Sequence, residues 1–192
     1  MARTSVRQLW KAKIEGTLAA KEWPVSENIP RVQFSGRLLG IDPSLRGTGL
    51  ALLEFAPGRP TVMLRCQTLK IAPKYSMAHC LAEIHRAVAT FLVDFDPRHV
   101  ALEQTIYVQN FQTAQILGAA RGAAIAAAAL QGKEIFEYAP RRVKQAVSGR
   151  GNASKDQMAA AVMGLLGHGR KLAFDEADAA GVALCHALTW RG

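Results

Sequence analysis

Four acidic side chains occupy places where the sequence predicts a strand or a helix to end or begin. Asp42 closes a short apolar segment directly before Pro43, and Glu103 closes a second one. Asp175 and Asp178 are three residues apart near the start of a helical pattern, so both project from one face of that helix. Because neighbouring elements of a sheet tend to pack together, we expect the two strand ends to meet, with the helix laying its carboxylates across them.

A cluster of four carboxylates is expected to need cations, because like charges in one cleft repel one another strongly. Mg²⁺ accepts oxygen ligands, keeps some of its waters and suits phosphate chemistry, and we expect Mn²⁺ to substitute for it. Two such ions about 3.5–4 Å apart activate a water and stabilise the leaving oxygen of an in-line displacement. Asp42, central on the first strand, is expected to be shared by both ions. The cysteines are widely spread and show no zinc-binding spacing, which argues against zinc.

Each of these residues also has an ordinary structural explanation. Asp42 can form a turn, and Glu103 can be a solvated strand end. Asp175 and Asp178 can simply complement the dipole of their helix. The structural explanation stays open for each residue alone, and the joint occurrence of all four around a basic segment favours a site. Glu176 lies off the shared face, and we expect it to be solvated.

A basic segment without acidic residues lies between the second and third of these carboxylates. It contains Arg141, Arg142, Lys144, Arg150 and Lys155. The whole chain has 192 residues and a formal net charge of +9, which fits a polyanionic partner such as nucleic acid. A generally basic soluble protein is the alternative that the charge alone leaves open.

Apolar runs and turn signals predict the element order βββ-α-β-α-β-α-α-α. The predicted strands cover residues 38–41, 50–55, 61–69, 99–103 and 134–138. The predicted helices are 77–92 with Ser76 as its cap, 111–130, one opening at Pro140, 158–166 after a capping box that begins at Ser154, and 175–188. Tight connections join the first three strands and predict an antiparallel meander. The sequence therefore predicts an α/β fold with a mixed five-stranded sheet flanked by helices, in one domain.

Residues 1–36 differ in composition from the rest of the chain, because basic residues dominate and prolines interrupt any helix. We expect a flexible or loosely docked extension to a folded domain at 37–192. A mitochondrial or plastid import signal is the other interpretation, which Glu15 and Glu22 weaken. The longest uninterrupted apolar run, 123–130, is far below the ~20 residues that span a bilayer, so we expect no transmembrane helix and a cytoplasmic protein.

Five short motifs, taken in order, resemble those of RuvC-type Holliday junction resolvases. They are LGIDP at 39–43 with GTG at 47–49, ALEQ at 101–104, LGAARG at 117–122, FEYA at 136–139 with VKQ at 143–145, and DEADA at 175–179. Each motif is weak alone, whereas five in register are specific.

This resemblance implies a ribonuclease H-like fold and a Mg²⁺-dependent endonuclease of DNA recombination and repair. Such an enzyme nicks two strands of a four-way junction symmetrically and leaves a 5′-phosphate and a 3′-hydroxyl. The residues carried over as catalytic and metal-binding are Asp42, Glu103, Asp175 and Asp178. Lys144 and Lys155 match functionally important lysines that contact phosphates or steady the charge at the scissile phosphate, unless they are ordinary surface lysines. Arg141, Arg142 and Arg150 are expected to bind the DNA backbone with an affinity that salt weakens.

The helix at 111–130 is expected to form the homodimer that the resemblance implies. Gly118 and Gly122 are four residues apart among alanines, and small residues at this spacing allow close helix packing. Packing inside the monomer is the alternative explanation. A two-fold dimer suits a junction that needs two matched cuts. Branch-migration proteins are further expected partners, on the nucleoid and not at a membrane.

The chain departs from the family pattern at two places. Ser44 stands where the family usually has glycine, which puts the backbone of that turn in doubt. Three residues after Glu103 the family tends to have an aromatic residue that stacks on junction bases, and this chain has Ile106. We expect the adjacent Tyr107 to serve instead, at roughly 1 to 3 kcal/mol for one stacked base.

Three other functions fit parts of the sequence. A ribonuclease H-like nuclease acting on RNA or on other branched DNA would use the same carboxylates. The segment from Gly40 to Gly49 also resembles the first phosphate loop of sugar kinases and actin-like ATPases, but 192 residues leave no room for their second lobe. A catalytically weak junction-binding protein is the third.

Overall fold

The computed structural model describes residues 33–104, 110–167 and 172–192, which belong to one compact unit, Arg31–Gly192. Its strands are β1 (Gly36–Asp42), β2 (Gly47–Phe55), β3 (Val62–Lys70), β4 (His99–Glu103) and β5 (Glu134–Tyr138). Its helices are α1 (Met77–Phe95), α2 (Phe111–Leu130), α3 (Pro140–Ser148), α4 (Lys155–Leu166) and α5 (Phe174–Thr189). The predicted order of strands and helices is confirmed.

The five strands form one mixed sheet in the order β3-β2-β1-β4-β5. The first three pair antiparallel, as predicted, while β4 pairs parallel to both β1 and β5. It follows that β1, β3, β4 and β5 all run in one direction and end at the same side of the sheet. This side, marked by their last residues Asp42, Lys70, Glu103 and Tyr138, is called the carboxyl edge below.

The helices cover both faces of the sheet, because side chains of a strand alternate between its faces. On one face Leu38 packs with residues of α3, α4 and α5 in one hydrophobic core. On the other face Leu39 and Ile41 pack with residues of α1 and α2 in a second core. Every second residue of β1, including Asp42 at its end, therefore points toward the side of α5.

Two strand glycines bring helix α5 into direct contact with the sheet backbone. A Cβ on Gly40 would lie 2.0 Å from the carbonyl oxygen of Ala179, and a Cβ on Gly49 would lie 2.0 Å from that of Asp175. No larger residue fits at either place, so these glycines allow α5 to lie across β1 and β2.

Two helices begin at the predicted capping serines, whereas α5 begins without a capping side chain at its first position. The hydroxyl of Ser76 accepts a hydrogen bond from the His79 N–H (3.3 Å), and Ser154 forms the predicted capping box at α4. Helix α5 has Ala173 at this position, and the Glu176 carboxylate accepts from the Ala173 N–H instead (3.2 Å). The expectation of a solvated Glu176 is therefore wrong, since this side chain is buried at the helix start.

A buried chain of hydrogen bonds joins the first residue of β4, helix α5 and the last residue of β5. His186 Nε2 lies 3.0 Å from His99 Nδ1, and His186 Nδ1 lies 2.8 Å from the Tyr138 hydroxyl oxygen. Burial, and then the neighbouring His99, lower the pKa of His186 to about 4. Both imidazoles are thus neutral polar links within a core.

The expectation of no membrane-spanning helix stays a prediction, because the length and composition of helix α2 do not decide it. Among the described residues it is the one helix long and apolar enough to cross a bilayer, judged by length and composition alone. In the fold it packs its buried alanines, among them Ala120 and Ala124, against the second core, and its Arg121 pairs with Glu137 of β5.

The folded domain begins before the predicted boundary at residue 37. Phe34 is buried in the first core, and the Gln33 N–H donates to the Ala187 carbonyl (3.1 Å). Residues 33–36 are therefore part of the folded domain. The remaining part of the predicted extension, residues 1–32, lies outside the described residues.

Candidate active site

The two strand ends that carry carboxylates are neighbours in the sheet. In the parallel pairing of β1 with β4, Ile41 lies opposite Leu102. One residue further along, the strands end at Asp42 and Glu103. Because side chains alternate between the faces of a strand, Asp42 and Glu103 both lie on the face covered by α5. The predicted meeting of these two carboxylates therefore follows from the register.

Helix α5 brings the other two carboxylates to the same place. Asp175 Oδ2 lies 3.5 Å from the position that a Cβ on Gly47 would take, which puts this side chain against the start of β2. Asp178 is one helical turn further on, and the charges of Asp175 and Asp178 both act on Asp42. Because α5 crosses the sheet at glycines, its first turn lies beside the end of β1.

Burial and mutual repulsion raise the pKa values of three of these carboxyl groups, Asp42, Glu103 and Asp178. Burial, followed by the charges of Asp178, Glu103 and Asp175, raises the pKa of Asp42 to about 7. Burial and the charge of Asp178 also raise the pKa of Glu103. The pKa of Asp178 is raised by burial in the first place and by Asp175 in addition. The four carboxylates thus form one electrostatically coupled group, which we call the carboxylate cluster.

Two lysines of the basic segment face the carboxylate cluster. Lys144 of α3 and Lys155, the first residue of α4, both act to lower the pKa values of Glu103 and Asp178. Lys155 acts in the same way on Asp42. The structure therefore brings together six of the residues singled out from the sequence, four acidic and two basic.

The carboxylate cluster fits a hard divalent cation by the chemistry of its donors. It offers carboxylate oxygens, and a bound cation would offset the burial and the mutual repulsion that together raise the pKa of Asp42 to about 7. Within the described ranges, no three His, Cys, Asp or Glu side chains converge closely enough to hold an ion. The four carboxylates are therefore close enough to interact electrostatically without converging on one point.

The turn after Asp42 is closed by side chains that the sequence reasoning did not single out. The Thr48 hydroxyl donates to the Ser44 carbonyl (2.6 Å) and accepts from the Ser44 N–H (3.2 Å). Ser44 does not have a positive φ, because Asp96 is the one non-glycine residue with that backbone conformation in the described part of the chain. The turn therefore needs no glycine at position 44, which removes the doubt about this departure from the family pattern.

Three of the four remaining predicted DNA-binding residues, Arg141, Arg142 and Arg150, belong to the basic segment. Arg141 and Arg142 line a shallow hollow of about 470 Å³ between α3 and the end of α5. The Arg142 guanidinium lies 5.2 Å from the ring centre of Tyr138, and Arg150 is exposed in the loop between α3 and α4. Tyr107, the expected stacking residue, lies outside the described residues.

Sequence reasoning noted the glycines of the first motif but missed their role at the site. Gly40 and Gly49 leave room for α5 and hence for its carboxylates, and Gly47 lies beside the Asp175 side chain. A glycine inside a strand signals close backbone approach, so this role was open to prediction. Thr68, paired with Gly49 across the sheet, was also missed, and its buried hydroxyl has no hydrogen-bond partner among the described residues.

Comparison with known proteins identifies similar chains. The family model described as crossover junction endodeoxyribonuclease RuvC matches residues 38–186. A protein of that name from Halorhodospira halophila is 42% identical over 151 residues, which cover 79% of this chain and 89% of the relative. One from Marinobacter nauticus is 41% identical over 150 residues, covering 78% and 85%. The structure of T. thermophilus RuvC in complex with Holliday junction substrate matches with a TM-score of 0.75 at 31% identity, covering 80% of this chain and 93% of that one.

Proposed function

The chain belongs to the RuvC family of crossover junction endodeoxyribonucleases, and from this membership we propose that it resolves four-way DNA junctions. The reaction is a metal-dependent hydrolysis that makes paired, symmetric nicks in two strands of the junction. The substrate is branched DNA, as in the matching T. thermophilus complex.

The carboxylate cluster at the carboxyl edge is the observation that supports this proposal. It lies between the ends of β1 and β4 and the first turn of α5, with Lys144 and Lys155 facing it. Acidic groups that need a cation, bordered by basic groups that attract a polyanion, suit hydrolysis of a phosphodiester. The family membership selects junction DNA among such substrates.

We assign the metal site to the carboxylates of Asp42, Glu103, Asp175 and Asp178. Mg²⁺ bound there supplies Lewis-acid activation of the attacking water and neutralises charge at the scissile phosphate. Mn²⁺ is expected to replace it, because both prefer oxygen ligands.

The basic residues bind and orient the substrate. Lys144 and Lys155 hold a phosphate oxygen close to the carboxylate cluster, where charge develops during the reaction. Arg141, Arg142 and Arg150 extend the basic surface along α3 and the loop behind it. Their contacts to the DNA backbone position the strand without reading its sequence.

We also propose that the enzyme acts as a homodimer through α2. Gly118 and Gly122 are exposed, and a Cβ added at either would meet nothing within 4 Å. Packing within the monomer therefore does not explain these glycines. Large apolar side chains on the same helix are also exposed, with Phe111 at 74% and Leu130 at 78%. A second copy covering this helix would bury them and set two active sites in two-fold symmetry.

The bacterial relatives support a place for this reaction in the cell. We propose that the enzyme works in the cytoplasm on nucleoid DNA during recombination and repair. Proteins that move the branch point are its proposed partners, because they supply junctions at new sequences.

The test of the proposed function is cleavage of a synthetic mobile four-way junction by the full chain in Mg²⁺. A linear duplex, a flap and an RNA–DNA hybrid of matched sequence serve as competing substrates. Asp42→Asn is expected to abolish cleavage and to keep junction binding, because it removes one charge from the metal site and little volume.

Symmetric nicks confined to the junction are the expected result. Preferential cleavage of the flap or of RNA would replace the junction assignment and keep the nuclease site. Junction binding without cleavage in Mg²⁺ or Mn²⁺ would mean that the chain binds branched DNA but is not a resolvase.

A further inference from the structure

The loop between β3 and α1 lies at the carboxyl edge, on the side opposite the known basic segment. Because β3 runs parallel to β1, its last residue, Lys70, ends at the same edge as Asp42. Two strand spacings of roughly 4.8 Å separate β3 from β1, so the loop begins about 10 Å from the carboxylate cluster. The basic segment follows β5, which lies two strands from β1 on the other side.

Arg46 ties this loop to the turn that follows Asp42. Its guanidinium donates to the carbonyl of Ala72 (2.7 Å) and to the carbonyl of Tyr75 (3.1 Å). In the other direction, the Ile71 N–H donates to the Arg46 carbonyl (3.1 Å). These three hydrogen bonds fix the loop against the active-site turn, so its position relative to Asp42 is set by the fold.

The loop displays an ordered basic and aromatic group to solvent. The rings of Tyr75 and His79 are stacked, with centroids 4.3 Å apart and planes 14° from parallel. The Lys74 ammonium lies 5.3 Å from the ring centroid of Tyr75, and Tyr75 itself is 41% exposed. A tyrosine held in this way restricts a lysine that would otherwise be a free surface charge.

The loop and the strand before it carry only positive charge in the sequence, and the acidic side chain beside the aromatic pair is Glu83, which lies 3.9 Å from His79. No acidic residue occurs in the sequence between Glu54 and Glu83, while Lys70 and Lys74 lie in that interval. An anion approaching the loop along the carboxyl edge therefore meets positive charge. Toward the centre of the sheet it then meets the carboxylate cluster, and beyond that the basic segment.

We propose that the ammonium of Lys74, positioned over the ring of Tyr75, and the hydroxyl of Tyr75 bind a phosphodiester of the DNA strand that crosses the carboxylate cluster. The inference rests on the proposed function, and it gives the active site a second basic border on the β3 side. A strand lying across the cluster is then held on both sides of the scissile phosphate, by Lys74 on one side and by α3 and α4 on the other. Arg46 acts as a positioning residue, because it holds the loop and does not face the DNA.

The contact predicts a specific change in salt dependence. Each lost phosphate contact lowers the slope of log affinity against log salt by about 0.9 for duplex DNA, and weakens binding about fivefold to tenfold at 0.1 M salt. Because the contact is to the backbone, the loss is the same for junctions of different sequence.

The experiment measures binding of a fluorescent four-way junction by the full chain between 50 and 200 mM salt, in the non-cleaving Asp42→Asn background. Lys74→Ala is compared with Arg59→Ala, which removes one exposed positive charge from the β2–β3 turn at the opposite end of the sheet. Tyr75→Leu is compared with Tyr75→Phe, which keeps the ring. Thermal unfolding of every variant is recorded beside the binding curves.

A lower slope and a fivefold to tenfold weaker affinity for Lys74→Ala, with Arg59→Ala unchanged, is the expected result. Tyr75→Leu is expected to weaken binding more than Tyr75→Phe at an unchanged melting temperature. Equal salt slopes for Lys74→Ala and Arg59→Ala would overturn the proposed contact. If Tyr75→Leu unfolds, the comparison of Lys74→Ala with Arg59→Ala is the test of the proposal. If the Asp42→Asn parent binds the junction no more tightly than the linear duplex, the proposed function itself is contradicted. This outcome is distinct from a failure of the Lys74 contact alone.

Discussion

Asp42 shows how a single residue combines the chemistry of the site with a cost in stability. Its pKa of about 7, against 3.8 for an ordinary aspartate, comes first from burial and then from three nearby carboxylates. The folded chain therefore retains a proton that the unfolded chain releases at lower pH. In the absence of divalent cations, stability is expected to fall as the pH rises from about 4 to about 7.

We predict that Asp42→Asn stabilises the ion-free protein at pH 8 and has little effect near pH 4. The gain at high pH is about 2 to 4 kcal/mol, because the variant cannot acquire the unfavourable charge. The measurement is thermal unfolding in a chelator across this pH range. Asp94→Asn, an exposed carboxyl on α1, is the control and should follow the native curve.

Added Mg²⁺ provides a second readout of the same prediction. It should raise the melting temperature of the native chain at pH 8 more than that of Asp42→Asn, because the cation binds the native cluster more tightly. Identical pH curves for the native chain and Asp42→Asn would contradict the assigned cause of the pKa shift.

At the scale of elements, α5 delivers two carboxylates because the sheet beneath it lacks side chains at two places. Gly40 and Gly49 face carbonyl oxygens of the helix at distances that leave no room for a Cβ. The helix is nearly all apolar and small on its buried face, which permits this close contact. The position of helix α5 on the sheet is therefore set by the two glycines as much as by hydrophobic burial.

We predict that Gly49→Ala destabilises the fold by about 3 kcal/mol or more and abolishes cleavage. The added methyl group would overlap the Asp175 carbonyl, so α5 must move away and take Asp175 and Asp178 with it. Gly164→Ala in α4 is the matched control. Its Cβ meets nothing within 4 Å, and alanine favours a helix by about 1 kcal/mol over glycine.

Urea unfolding and junction cleavage are the two measurements for this pair. Gly164→Ala should be as stable as the native chain or more so, with full activity. A Gly49→Ala variant with native stability and native cleavage would show that α5 is not seated by this glycine.

At the scale of the whole molecule, α2 has one face in the core and one face that is exposed among the described residues. Ala120, Ala124, Ala127 and Ala128 are buried, whereas Gly118 and Gly122 are exposed. The same composition makes this helix long and apolar enough to span a membrane, judged by length and composition alone. The proposed symmetric dimer would account for both the length of the apolar surface and the small residues at its centre.

We predict that Gly122→Glu shifts the protein from dimer to monomer without lowering the stability of the fold. The site is open in the monomer, while in a dimer two copies of the new charge would face each other across the two-fold axis. Sedimentation measures the oligomeric state. Val93→Glu on α1, at a residue that is 72% exposed, is the control for adding a charge in place of an apolar or small residue.

Loss of the dimer should also separate the two cuts. Gly122→Glu is expected to nick junctions without making the matched second cut, because each cut needs its own carboxylate cluster. A Gly122→Glu variant that still sediments as a dimer and makes paired cuts would place the interface elsewhere.

Local sequence patterns were sufficient to predict the strands, the helices and the residue types of the candidate site. Alternation of apolar residues, turn residues and helix caps predicted every strand and helix in order, because these signals are local. The residue types of the carboxylate cluster, with Lys144 and Lys155, predicted a cation site for phosphate chemistry, and ordered motifs indicated the family. The misplaced boundary near Phe34 and the misjudged Glu176 arose where burial depends on packing partners distant in sequence.

How these groups meet depends on contacts between elements that are distant in sequence. The parallel register of β1 and β4 places Asp42 beside Glu103, and the glycines under α5 set the position of Asp175 and Asp178. The outward face of α2 and the link from Arg46 to the Tyr75 loop appear only when the elements are assembled. The physical reason is that a pKa near 7, an exposed helix face or a hydrogen bond between loops is a property of neighbours in space, which local sequence patterns do not specify.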